Sequence, residues 1–113
     1  MEQRRTRRFQ LELPLAITRT GTERAVHPGV TKNISSMGVL FTTGAQPDLG
    51  GPIEYVITLK YEGTQSVNLR CVGKVLRFER ALGTSDNRRS YQIAATLERY
   101  EFVRELGIQS AHQ

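Results

Sequence analysis

Apolar residues recur at every second position in run after run of this chain, and that period limits its fold more than any other feature. Phe9, Leu11, Leu13, Leu15 and Ile17 alternate with mostly polar neighbours. Successive side chains of an extended chain point to opposite faces, so this spacing makes a strand with one buried and one wetted side. A helix would scatter the same five residues around its circumference. Pro14 lies inside the run and has no N–H to donate to a ladder, which predicts an edge position or a bulge.

The pattern repeats down the chain, punctuated by turn residues. RTGTER (19–24) reads as a turn and VHPGVTKNI (26–34) as a second strand, disturbed at its start by Pro28 and Gly29. SSMG (35–38) is a tight turn, VLFTT (39–43) a third strand and GAQPDLGG (44–51) a loop. PIEYVITLKYEG (52–63) and VNLRCVGKVLRFER (67–80) read as longer strands, the second with a bulge expected at Gly73. After a polar loop at 81–89, SYQIAATLE (90–98) is a sixth strand. Phe102, Val103 and Leu106 then fall at helical spacing, predicting a short C-terminal helix interrupted near Gly107. Many short strands separated by turn signals predict an all-β domain, a barrel or sandwich.

At 113 residues the chain is expected to be one domain. A chain of that size buries roughly two-thirds of its unfolded surface and needs no disulfide to fold. Its single cysteine, Cys71, could not form one internally and reads as a small buried hydrophobe. The N-terminus lacks the apolar run of a signal peptide, and no stretch has the length of a membrane span. These features predict a soluble protein of a reducing cytoplasm.

Charge is distributed unevenly. The net charge is +5, and four arginines, Arg4, Arg5, Arg7 and Arg8, crowd the first eight positions against the single Glu2. The remainder is nearly balanced, which points to a localised anion site rather than a basic face for long nucleic acid. A second polar constellation follows the second strand: Asn33-x-Ser35-x-x-Gly38. Asn33 offers a donor and an acceptor, Ser35 a hydroxyl, and Gly38 can adopt a positive φ that other residues resist. A reversal between two strands would project these short groups onto one rim.

The two motifs together resemble the PilZ domain family, receptors for the bacterial second messenger cyclic di-GMP. The family pattern is RxxxR just before the first strand, followed by [D/N]xSxxG. Arg4-Arg-Thr-Arg-Arg8 fills the first part and Asn33-Ile-Ser35-Ser-Met-Gly38 the second. CVGKVLRF (71–78) is similar to a Gly-basic-Val strand of the family and YQIAATLE (91–98) to its last barrel strand, with Ala94-Ala95 where many members have Gly. The resemblance spans most of residues 4–98. It implies a six-stranded antiparallel β-barrel over residues 9–98, an Arg-rich loop at 1–8 and a helix and tail at 99–113. It further implies a cyclic di-GMP site in which Arg4 and Arg8 clasp the ligand and Asn33, Ser35 and Gly38 meet it from the barrel surface. Gln3 and Arg5 are expected as secondary contacts, and one ligand molecule or an intercalated pair remain alternatives.

The chemistry suits those residue types. A guanine edge presents O6 and N7, which a guanidinium meets bidentately, and the same group stacks on purines or pairs with phosphate. On this reading the chain is a non-enzymatic receptor or adaptor that couples ligand binding to a partner surface, with an unidentified downstream protein partner and no cofactor. Two other readings stand beside it: an interaction domain of the same fold without ligand binding, and a small basic nucleic-acid-binding β-barrel. The scarcity of exposed-looking aromatics for base stacking weighs against the last. His27 and His112 lack metal-ligand spacing, Arg88 and Arg89 read as a solvated face, and no catalytic constellation emerges.

Overall fold

A computed structural model describes residues 9–46, 48–80 and 90–106. Its strands are β1 (Pro14–Thr20), β2 (Glu23–Ile34), β3 (Gly38–Thr43), β4 (Pro52–Glu62), β5 (Gln65–Arg80), β6 (Tyr91–Thr96) and β7 (Arg99–Leu106). All pairings between them are antiparallel. The sheet runs β4-β1-β2-β3-β6-β5-β7 and closes in a ring because β5 also pairs with β4. The expected all-β class is therefore what the chain adopts.

The period of two explains the core. Leu15 and Ile17 of β1, Val39 and Phe41 of β3, Ile53, Tyr55 and Ile57 of β4, and Ile93 and Ala95 of β6 all point into the ring and are buried. The Phe41 and Tyr55 rings pack at its centre with centroids 5.6 Å apart. The Tyr55 hydroxyl donates to the Thr96 carbonyl at 3.0 Å, which gives a buried polar group its partner. Burial drives the Tyr55 hydroxyl far above its ordinary pKa, with Cys71 and Glu98 adding to the effect. Burial alone pushes the Cys71 thiol up to about 12. Cys71 is thus the inert buried residue that its apolar strand suggested.

Three expectations are corrected. First, the C-terminal helix does not form over the described residues: Arg99–Leu106 is strand β7. The reason lies in β5, a 16-residue strand. Its second half pairs with β6 from Val75 to Arg80, while its first half has β4 on one side only. The chain leaving β6 bends at Leu97–Glu98 and continues along the vacant edge, pairing Arg99 with Val72 through Leu106 with Gln65. A row of unpaired backbone groups is a stronger template than three apolar residues at helical spacing. The described residues therefore form seven strands where six were expected.

Second, Pro14 marks neither an edge nor a bulge. β1 pairs on both sides, with β2 and β4, and Pro14 is simply its first residue, where no ladder donor is needed. The residues before it, 9–13, are not regular strand. They lie along β2 as a strap held by Thr31. The buried Thr31 hydroxyl donates to the Leu11 carbonyl and accepts the Leu13 N–H at 2.8 Å. Phe9 closes the strap with a two-way bridge to Ile34, each bond 2.9 Å.

Third, Gly73 is not bulged; its register with Ile53 of β4 is regular. It is required because a Cβ there would lie 1.9 Å from the Thr96 carbonyl oxygen. The bulge sits further along β5, between Val75 and Arg77.

Candidate functional site

Two bulges shape one patch of the outer surface. In β2 the register with β3 slips between Thr31 and Asn33, so Lys32 is an extra residue. Thr31 lies opposite Phe41, which is fully buried, whereas Asn33 lies opposite Leu40 on the outer face. Without the extra residue, Thr31 and Asn33 would share the inner face. The same device recurs in β5, where Leu76 is extra: Val75 faces inward opposite Ala95, and Arg77 faces outward opposite Ala94. Bulges that re-aim side chains in this way recur beside functional sites.

The registers align the re-aimed residues. Asn33 pairs with Leu40, Leu40 with Ala94 and Ala94 with Arg77, so a single row crosses β2, β3, β6 and β5. At a strand spacing of about 4.8 Å, this sets the Asn33 and Arg77 backbones roughly 14 Å apart. A small depression of about 140 Å³ lies along the row, lined among others by Asn33, Ser35, Gly38, Leu76, Arg77 and Ala94. Ala94 and Gly38 keep its floor low. Leu76 and Met37, 59% and 66% exposed, stand at its rim as apolar surfaces.

The Ser35–Gly38 turn is locally determined. Ser35 donates its N–H to the Gly38 carbonyl at 2.9 Å, and its hydroxyl accepts the N–H groups of Met37 and Gly38 at 3.1 and 3.2 Å. Ser35 thus holds the turn in shape through its own side chain. Gly38 serves differently from the expectation. It does not take a positive φ, which among the described glycines belongs to Gly21, Gly50 and Gly63. Instead a Cβ at Gly38 would stand 2.6 Å from the Ala95 carbonyl oxygen, so glycine lets β3 and β6 approach.

Of the residues singled out from the sequence, Asn33, Ser35 and Gly38 come together around this depression. Gln3, Arg4, Arg5 and Arg8 lie outside the described residues. Leu76 and Arg77 were not anticipated as site residues. Their signal was nevertheless present: Val75 and Phe78 are apolar three positions apart, a break in the period of two that marks an extra residue. The bulge at Lys32 leaves no such signal, because Val30 and Ile34 keep an even spacing.

Two larger grooves, of about 370 and 310 Å³, lie on the opposite side, across β4, β5 and β7. Their charges compensate one another: Arg70 pairs with Glu101 at 3.6 Å and Arg19 with Glu54 at 3.4 Å. Neither has the unbalanced charge or motif residues of the smaller site. Among the described residues no group of three or more His, Cys, Asp or Glu comes together to hold a metal, and no helix is long and apolar enough to cross a membrane.

The chain is thus a ring of antiparallel strands carrying an N-x-S-x-x-G turn beside an N-terminal strap. The family model of the PilZ domain matches residues 2–102, nearly the whole chain, and the protein belongs to that family. PilZ domains are binding and adaptor domains that generally bind cyclic di-GMP. No curated protein and no solved structure shows a significant match to the chain.

Proposed function

We propose that this chain is a cyclic di-GMP receptor that uses Arg4 and Arg8 together with Asn33, Ser35 and Gly38. The observation that carries the reading is the row Asn33–Leu40–Ala94–Arg77 with Gly38 beside it, a shallow floor that has hydrogen-bonding groups at both ends. A flat, anionic, guanine-bearing ligand suits such a floor. Asn33 meets a base edge at one end, and Arg77 supplies a guanidinium for phosphate or a purine face at the other. Leu76 and Met37 give apolar surface against which a base packs.

The strap supports the role of the arginines. Phe9 is bonded to Ile34, the residue after Asn33. Arg8 immediately precedes that anchor, and Arg4 is five residues from it, a tether of at most about 18 Å. Both guanidiniums can therefore reach the floor without disturbing the ring. Gln3 and Arg5 are secondary contacts in this scheme. An output route also starts at the turn: the Leu97 N–H donates to the Met37 carbonyl at 3.0 Å, joining the motif to the bend between β6 and β7. Movement of the turn is passed to β7 and to a protein partner that reads it.

Isothermal titration with cyclic di-GMP, with GTP and a short oligonucleotide as controls, tests the proposal. Saturable binding to cyclic di-GMP alone is expected, and its stoichiometry separates one bound molecule from a pair. Arg4→Ala and Arg8→Ala are each expected to weaken binding tenfold or more, because a good bidentate contact is worth about 1–3 kcal/mol. Wild-type affinity in both variants would remove the arginines from the site. Silence of the unmodified chain would leave an interaction domain without this ligand.

A further inference from the structure

Strand β7 ends the sheet order, and its far edge has no partner among the described residues. Tyr100 and Phe102 stand on it 60% and 67% exposed, their rings edge-to-face with centroids 6.2 Å apart. Tyr100 lies opposite Cys71 and Phe102 opposite Leu69, so both share the core-facing side of β5 but extend beyond what the ring covers. An unpaired edge beside exposed aromatics is a template for another strand.

We propose that the occupant is β7 of a second copy of this chain, paired antiparallel about a twofold axis through Phe102. The inference does not depend on ligand binding. Antiparallel pairing about such an axis keeps each sheet face continuous only when opposed residues are an even number of positions apart, so the axis passes through a residue. Centring on Glu101 sets that carboxylate against its own copy. Centring on Val103 sets Glu101 against Glu105 twice. Centring on Phe102 opposes Arg99 to Glu105 and Tyr100 to Arg104, and brings the two Phe102 rings together. Centres nearer the strand ends pair fewer residues of β7.

Charges on an edge strand ordinarily discourage pairing. Here Arg99 and Glu105 complement each other in this central register, while Glu101 and Arg104, held within the chain by Arg70 and Glu62, face Val103 and Tyr100. The opposed pairs are Arg99 with Glu105 twice, Tyr100 with Arg104 twice, Glu101 with Val103 twice and Phe102 with its copy once; the ion pairs, the cation–aromatic contacts and the aromatic pair are of the kinds that stabilise neighbouring strands.

Sedimentation equilibrium of the full chain across micromolar to submillimolar concentrations tests this. A reversible dimer is expected. Arg99→Glu and Glu105→Arg each place two like-charge pairs across the axis and are expected to weaken the dimer about tenfold or more. The double variant R99E/E105R reverses both charges and is expected to restore it, a rescue that a folding defect would not show. Circular dichroism confirms that each variant keeps its strands. A chain that stays monomeric throughout overturns the proposal and leaves the edge to a different protein. So does a dimer that both single exchanges leave intact.

Discussion

At the scale of single residues, glycines do the most to make the ring possible, and they do so by absence of bulk rather than by turn geometry. At Gly73 the Thr96 carbonyl occupies the space of a Cβ. The same Thr96 accepts the Tyr55 hydroxyl through its carbonyl and the Lys74 N–H through its Oγ1 at 2.8 Å, so it has little freedom to withdraw. Gly73→Ala is therefore expected to cost at least about 2 kcal/mol, in the range of overpacked interiors, because the opposing atom is backbone. A urea unfolding series checks this, and a midpoint equal to that of the unmodified chain would show that β5 and β6 can separate freely. Neither the clash at Gly73 nor that at Gly38 was legible in the sequence. A glycine in a strand announces that something is unusual, but only the neighbouring strand shows what it is.

At the scale of elements, the extra residues Lys32 and Leu76 decide which side chains reach the outer surface. Removing Lys32 is expected to restore an even register and turn Asn33 inward, burying an amide without partners and exposing Ile34. A loss of about 2 kcal/mol or more follows from the unsatisfied polar group alone. Lys32→Gly keeps the extra residue and should cost only about 0.5–1 kcal/mol, the ordinary penalty of glycine in a strand. Unfolding midpoints of the two variants distinguish them; equal losses would mean that the bulge does not set the orientation. The candidate site was thus half legible. Its polar triad could be read from turn chemistry, because Ser35 and Gly38 lie close in sequence and bond one another. The far end, Leu76 and Arg77, comes from a strand some forty residues later, brought there by pairing through β6.

At the scale of the whole molecule, the closed ring buries groups that would rather ionise in water, and this gives stability a direction with pH. Cys71 has its pKa raised from 9.0 to about 12, and Tyr55 is shifted the same way. A thiol that titrates later when folded lets the unfolded chain lose its proton first. Its contribution is full below pH 9 and is lost as pH rises from there toward 12. Stability measured by urea unfolding is therefore expected to fall as pH rises from 9.0 toward 12, less steeply in Cys71→Ala, whose remaining slope reports Tyr55. An identical slope in the variant would take Cys71 out of the account.

The sequence by itself determined the all-β class, the strand positions inside the ring, and the motifs that tie the chain to its family. These depend on local rules: a period of two sets which residues can be buried together, and turn residues set where the chain reverses. The tertiary structure decided the rest. It converted a helical spacing at the C-terminus into β7, because the unpaired edge of β5 offered hydrogen bonds that no local pattern records. It also turned two irregular residues into the phase shifts that assemble Asn33 and Arg77 on one row. Strand pairing is a contact between distant parts of a chain, so its register and its leftover edges exist only once the partners have met.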